Sequence, residues 1–333
     1  ILSLAAAGGL VALARAAEAS TPKTRSPAAP PPAAPTETPI GTPSATPTSS
    51  EATPLVTQNS VSALRFEPPS TRVTGTAWLA RMASVRESDR EAEILAAAGR
   101  GEYPAFLRQL VSITVEAGGH RATYGVMPDA FAIGTDADFI RVPMKPAGAQ
   151  RLAALLGMVL PTSKVVDDID AHAAVRLTPH PVRTEMAARG LGMNALQAWA
   201  RSNEIIEAER ARRPGLVTGG KKHIILHPRM GTSANRRKLW IYGWFYPTVD
   251  AARRSGTIPA TDFARNPQRR NIQSVSTAHD MGYVDYSHGV QLVADVMVVD
   301  GRPMRTVDVL SSPTLAVLLS KEGRFTTPPA YPT

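Results

Sequence analysis

Between His279 and Asp300 the chain reads HDMGYVDYSHGVQLVADVMVVD, and two histidines, two aspartates, a serine and two glycines fall between His279 and Gly289. No other stretch is as dense in groups that move protons or hold a metal. An imidazole beside a carboxylate can act as a general base with the carboxylate orienting it. Two imidazoles and a carboxylate can instead hold a divalent ion such as zinc with one position open to water, which makes His279, Asp285 and His288 a candidate ligand set. Ser287 is a polar contact or a nucleophile in the same site. The structural alternative is a turn at a strand entry, with Asp and Ser satisfying nearby backbone N–H groups.

The face on which these groups fall depends on strand parity. If a regular strand begins at Val284, Asp285, Ser287, Gly289 and Gln291 share one face and Tyr286, His288, Val290 and Leu292 the other. His288 joins Asp285 only if a bulge at Gly289 reverses the relation.

Two short motifs resemble known enzyme signatures. Asp285-Tyr286-Ser287-His288-Gly289 resembles the nucleophile elbow of α/β-hydrolases, but an aspartate replaces its first glycine and a strand pattern follows where a helix belongs. Ser287-His288-Gly289 is similar to the start of the L,D-transpeptidase signature, yet Val290 stands where that family carries its cysteine, and the chain has no cysteine. Neither chemistry carries over.

Other candidates are weaker. His223 and His227 share a face of a helix or a strand, but Ile224 occupies the glutamate position of a zinc-protease helix, so a pair of edge-strand histidines is expected. Lys164 and Asp168 make an i, i+4 pair beside Asp167 and Asp170. Asp136-Ala137-Asp138 lacks the further oxygens of a calcium loop and reads as a turn. Trp240, Tyr242, Trp244 and Tyr246 alternate along a strand pattern, as a sugar-stacking platform or a core wall would. Tyr242, Trp244, Asp168 and Gln291 are the substrate-binding candidates.

The elements that must position these groups follow from hydrophobic period and punctuation. Ser88-x-x-Glu91 forms a capping box before Ile94 and Leu95, with Gly99 as the stop. A short helix starts at Pro104. Val111–Val115, Thr123–Ile133 and Phe139–Met144 read as strands, Ala149–Leu156 as a helix ended by Gly157, and Pro161-Thr162-Ser163 opens another through Ala173. Met193–Arg213 carries the longest helical pattern. His223–His227 and Lys238–Tyr246 read as strands, Asp250–Gln273 as a long basic surface loop, and Val307–Leu319 as a closing helix. Strands and helices mix without strict βαβ alternation or repeats, so the expected class is α+β, a mixed or antiparallel sheet packed with several helices.

Ahead of this lies a different kind of chain. Residues 1–19 combine a short apolar run with Ala17-Glu18-Ala19, the form accepted by signal peptidase, and are expected to be an incomplete secretory signal. Residues 20–60 are almost entirely Pro, Thr, Ser and Ala and are expected to be a disordered tether. Residues 61–333 then form one globular domain, with two lobes meeting near Gly190 as a variant.

A net charge of +9 and a pI of about 10.1 draw the protein to anionic surfaces. Export makes that surface a cell-wall or extracellular polymer, and argues against nucleic acid. No stable transmembrane helix is expected after signal removal. With no cysteine there are no disulfides and no thiolate chemistry. The expected protein is therefore a secreted or periplasmic envelope hydrolase acting on a wall peptide, glycan or ester bond with a His/Asp site. The alternative is a non-catalytic module that binds an anionic polysaccharide or wall polymer.

Overall fold

A computed structural model describes residues 73–333. The expected signal and tether, residues 1–60, lie outside the described residues. Within them the chain is α+β, as its patterning implies, and one continuous apolar core runs from Trp78 to Tyr331.

The first half builds the larger sheet. Helix α1 (Gly75–Met82) is capped by the Thr74 hydroxyl, which accepts from Ala77 N–H, and buries Trp78 and Met82. Helix α2 (Arg90–Gly99) buries Ile94, Ala97 and Ala98. The expected capping box is absent there: Ser88 donates sideways to Asp89, and Glu91 instead accepts from the Lys145 backbone N–H. A short 3₁₀ turn, Ala105–Arg108, follows Pro104. Strands β1 (Val111–Ala117) and β2 (His120–Val126) form a hairpin, and β3 (Ala132–Gly134) pairs with β4 (Phe139–Arg141) across the Asp136 turn. Helix α3 (Pro146–Leu156) stops at Gly157 in the left-handed conformation, and β5 (Met158–Val159) follows. Helix α4 (Ser163–His172) is capped by Thr162 and holds the Lys164–Asp168 pair at 2.8 Å.

The second half adds a smaller sheet and returns to the first. Strand β6 (Val175–Arg176), helix α5 (Arg183–Ala188) and the fifteen-residue helix α6 (Leu196–Arg210) lead to β7 (Val217–Thr218), which pairs with β6. Strands β8 (Lys222–Ile224) and β9 (Ile241–Phe245) come next. The expected loop 250–273 is instead two short helices, α7 (Val249–Arg254) and α8 (Ala260–Arg265), leading into β10 (Asn271–Ser276). Thr248 caps α7, and Ala252 and Phe263 fill a small separate core with Tyr246 and Ile258, so sparse apolar residues suffice to order the segment.

The long strand expected after Val284 is broken into β11 (His288–Gly289), β12 (Val293–Ala294) and β13 (Val296–Val299), with β14 (Arg302–Arg305) returning across Asp300-Gly301. The closing helix is likewise split, into α9 (Thr306–Ser311) and a 3₁₀ turn at Ala316–Leu318. The larger sheet runs β14-β13-β2-β12-β5 with β1 on β2, all antiparallel; the smaller runs β10-β9-β8-β11, parallel only at β8/β11. The segment after His279 therefore ties the two sheets together.

Gly219, between β7 and β8, shows how tightly these layers meet. It sits at φ +85°, and a Cβ there would lie 2.0 Å from the Leu177 carbonyl oxygen and 2.8 Å from that of Phe245. Gly219→Ala is expected to destabilise the fold by about 3 kcal/mol, read by chemical denaturation.

Candidate functional site

The turn before β11 sets the site. The Asp285 carboxylate accepts the Ser287 N–H at 2.7 Å and also the Ser287 hydroxyl, while His288 N–H donates to the Asp285 carbonyl at 3.1 Å. A short acid that bonds the backbone two residues on is the Asx turn, and it competes directly with extended pairing. Regular strand thus begins only at His288. The parity expectation fails here: the turn, with no bulge at Gly289, brings His288 Nε2 to 3.9 Å from Asp285 Oδ2.

Neighbouring elements hold the turn in place. Lys222 N–H donates to the Ser287 carbonyl at 2.8 Å, and β11 pairs in parallel with β8, His288 opposite Lys222 and Gly289 opposite His223. Gly289 permits this approach, because a Cβ on it would lie 2.7 Å from Lys221 Cβ. From the other side the Lys221 ammonium donates to the Tyr286 carbonyl at 2.6 Å and to Ser202 Oγ on α6 at 2.9 Å.

Two rings, His279 and Tyr283, pack outward from the pair. His279 is exposed and stacks on Tyr283, with ring centroids 3.8 Å apart and 11° between planes. Tyr283 meets His288 edge to face at 5.7 Å and donates its hydroxyl to Asp285 Oδ2 at 3.0 Å. His288 is 1% exposed, and neither ring nitrogen has a hydrogen-bond partner among the described residues. Lys222 lies beside them, its ammonium 5.1 Å from the centroid of the Trp244 ring.

Burial and charge set the protonation states. Burial lowers the His288 pKa from 6.5 to about 4 against the pull of Asp285, so the ring is neutral near pH 7. Burial on its own would raise the Asp285 pKa, but His288, Lys222 and the Ser287 hydrogen bonds more than offset it, and the group sits below the ordinary carboxylate value. Lys222 is lowered by burial, with Asp285 opposing. Tyr283 is pushed up to about 12 by burial and by Asp285, so it is a hydroxyl donor at neutral pH. The cluster is a neutral imidazole, an ionised carboxylate, a phenol and a lysine whose charged form burial disfavours.

Several expectations need correction. Ser287 directs its hydroxyl to Asp285, so no serine–histidine relay forms and it is a turn-forming residue, not a nucleophile. His279 is engaged face to face with Tyr283, and among the described residues no three His, Asp or Glu side chains are arranged to hold a metal, so the His279/Asp285/His288 ligand set is not formed. Gln291 is buried and donates to the Met127 carbonyl at 2.9 Å; Asp168 accepts from Tyr124 at 2.8 Å and pairs with Lys164. Neither belongs to the site.

The aromatic alternation also breaks. Gly243 at φ +99° and Trp244 at φ +62° interrupt the strand geometry, so no common platform forms. Trp240 stacks on His227 at 4.0 Å, Tyr242 donates to Asp167 at 2.7 Å, Tyr246 enters the small core, and only Trp244 lies beside the site, through Lys222. His223 and His227 are buried; His223 lies in β8 between β9 and β11, and His227 caps the 3₁₀ turn Pro228–Gly231, so neither is an edge-strand residue.

The residues missed were Tyr283, Lys221 and Lys222. As a basic pair the lysines resemble surface charge, yet Lys221 is 5% exposed. The signal was their place directly after Gly219-Gly220 and directly before His223, in a segment otherwise apolar through Leu226. Neither a family model nor a curated protein nor a solved structure matches the chain, and the chemistry of this site rests on its own groups.

Proposed function

We propose that the protein is an exported hydrolase that cleaves an acyl bond, peptide or ester, in an anionic cell-envelope polymer. The observation that carries this reading is the His288 imidazole, buried beside Asp285 with neither nitrogen hydrogen-bonded among the described residues. At neutral pH that imidazole is unprotonated and can accept a proton. A glycosidase of the usual kind needs two carboxyls flanking the bond. Among the described residues, Asp285 is the one carboxylate that the turn brings to His288.

In the proposed reaction His288 takes a proton from water as the water oxygen attacks the acyl carbon. Asp285 stabilises the imidazolium so formed, and the Lys222 ammonium offsets charge growing on the acyl oxygen. His288 then returns the proton to the leaving nitrogen or oxygen as the acyl bond breaks, leaving acid and amine or alcohol. Tyr283 must swing aside to admit substrate. The exposed Arg236 and Arg237 favour an anionic polymer, since backbone bonds from Met281 to Arg237 and from Leu239 to His279, both 3.0 Å, place them beside His279.

The test is release of soluble fragments and of new amine or carboxyl ends from insoluble wall polymer. His288→Ala is expected to slow release about 100-fold or more, with the circular dichroism spectrum unchanged. Asp285→Asn should slow it by a smaller factor. No turnover by the parent protein, with polymer retention surviving both changes, would instead identify a binding module.

A further inference from the structure

A well-formed cleft lies away from His288, at the C-terminal end of α6. Its volume is about 310 Å³, and Phe106, Val111, Pro128, Pro214, Arg210 and Arg212 are among its lining residues. That is the lower end of the range for small-ligand sites. We infer that this cleft binds the C-terminal carboxylate of a short peptide, with Arg210 and Arg212 as its anion-binding pair.

Arg210 is a built feature of the cleft. It is 6% exposed, and its guanidinium lies 4.7 Å from the Phe106 ring centroid. Its one hydrogen bond among the described residues runs from Nε to the Arg213 carbonyl at 3.3 Å. Its Nη1 is ion-paired with Glu207 at 3.6 Å and with Asp129 at 3.9 Å, but both distances are beyond hydrogen-bond reach. Those two acids are instead bonded to Arg141, at 2.6 Å for Glu207 and 2.5 Å for Asp129. Among the described residues the terminal nitrogens of Arg210 thus form ion pairs but no hydrogen bond, and they present the planar fork that takes a carboxylate through two bonds.

Arg212 reaches the cleft through an unusual turn. Ala211 at φ 50° and Arg212 at φ 58° are consecutive non-glycine residues in the left-handed region. The turn is held by Ala211 N–H to the Glu207 carbonyl at 2.9 Å and by the Arg213 guanidinium, which donates to the Arg210 and Glu209 carbonyls at 3.1 and 2.9 Å. Arg213 therefore closes the helix end, and Arg212 is left exposed with no ion-pair partner among the described residues. Strain of this kind persists where the surroundings impose it, and it collects at ligand sites.

The rest of the lining selects the ligand class. Glu207 and Asp136 also line the cleft, and they would repel a dianionic phosphate while accepting the N–H donor beside a peptide carboxylate. The four apolar walls suit an aliphatic last side chain. This assignment does not depend on the hydrolase reading.

Calorimetry and thermal shift with N-acetyl-glycyl-leucine, its C-terminal amide and inorganic phosphate test it on the full chain. The acid is expected to bind and raise the melting temperature, the amide and phosphate to bind at least tenfold more weakly, and Arg212→Ala to weaken the acid about tenfold. Arg212 is exposed, so that variant should fold; Arg210→Lys, which keeps the charge and loses the fork, should weaken the acid as well. Equal binding of acid and amide, tighter binding of phosphate, an unaffected Arg212→Ala, or no binding of the acid at millimolar concentration would each overturn it.

Discussion

Lowering the pH from 6.5 to 4 is expected to remove about 5 kcal/mol of folding stability, roughly half through His288 and half through His223. Burial drops each ring from 6.5 to about 4. In the unfolded chain these imidazoles take a proton near pH 6.5; in the folded protein they do not until about pH 4. Across that window the unfolded state holds more protons, so stability falls as pH falls. The charges facing them modulate the effect: Asp285 favours protonation of His288, Lys222 and Lys221 oppose it, and Asp129 favours protonation of His223. Lys221 extends the same slope to higher pH. Burial lowers it from 10.5 to about 7, so between those values the unfolded chain again holds more protons and stability rises with pH. Urea denaturation at a series of pH values reads the slope, and His288→Asn or His223→Asn should each remove about half of the acid arm. A flat profile between pH 4 and 6.5 would show that neither ring is held neutral.

The second large effect is expected at Arg141, the side chain around which the polar interior is built. It is 1% exposed. Its Nε and Nη2 donate to Asp129 at 3.0 and 2.5 Å, its Nη2 to Glu207 at 2.6 Å, and its Nη1 to Asn203 Oδ1 at 3.0 Å. Burial would pull its pKa down, but Asp129 and Glu207 outweigh that and hold it raised. Removing one partner of a buried pair leaves the other charge uncompensated, so Arg141→Ala is expected to cost about 3–5 kcal/mol. Asp129 would then sit buried opposite Lys221 and Arg210, and the double change Arg141→Met with Asp129→Leu should recover much of the loss. Denaturation midpoints of the single and double variants measure both.

The parts of the fold that could be read in advance are those decided locally. Gly157 after Leu156, Thr162 before Ser163 and the β-branched runs from Val111 and Phe139 each carry their own punctuation, and each is found in place. What failed was decided by distant partners. Asp250–Gln273 is polar enough for a loop, but Phe263 and Ile258 find Tyr246 across the chain. The strand expected from Val284 yields to Asp285, which captures its own turn. For the site, Asp285 and His288 were legible as residue types in one short stretch. Lys222 and Tyr283 were not, because only the β8/β11 pairing brings a lysine more than sixty residues away beside them.

Tyr283 has a single hydroxyl proton, and Asp285 holds it. Any molecule that reaches His288 by displacing that ring also strips Asp285 of a donor, and a carboxylate that loses a donor binds protons more tightly. Entry and proton affinity are therefore one event. With Tyr283 in place His288 is screened and Asp285 ionised, and displacing the phenol would make the carboxylate a better partner for a proton on the His288 ring.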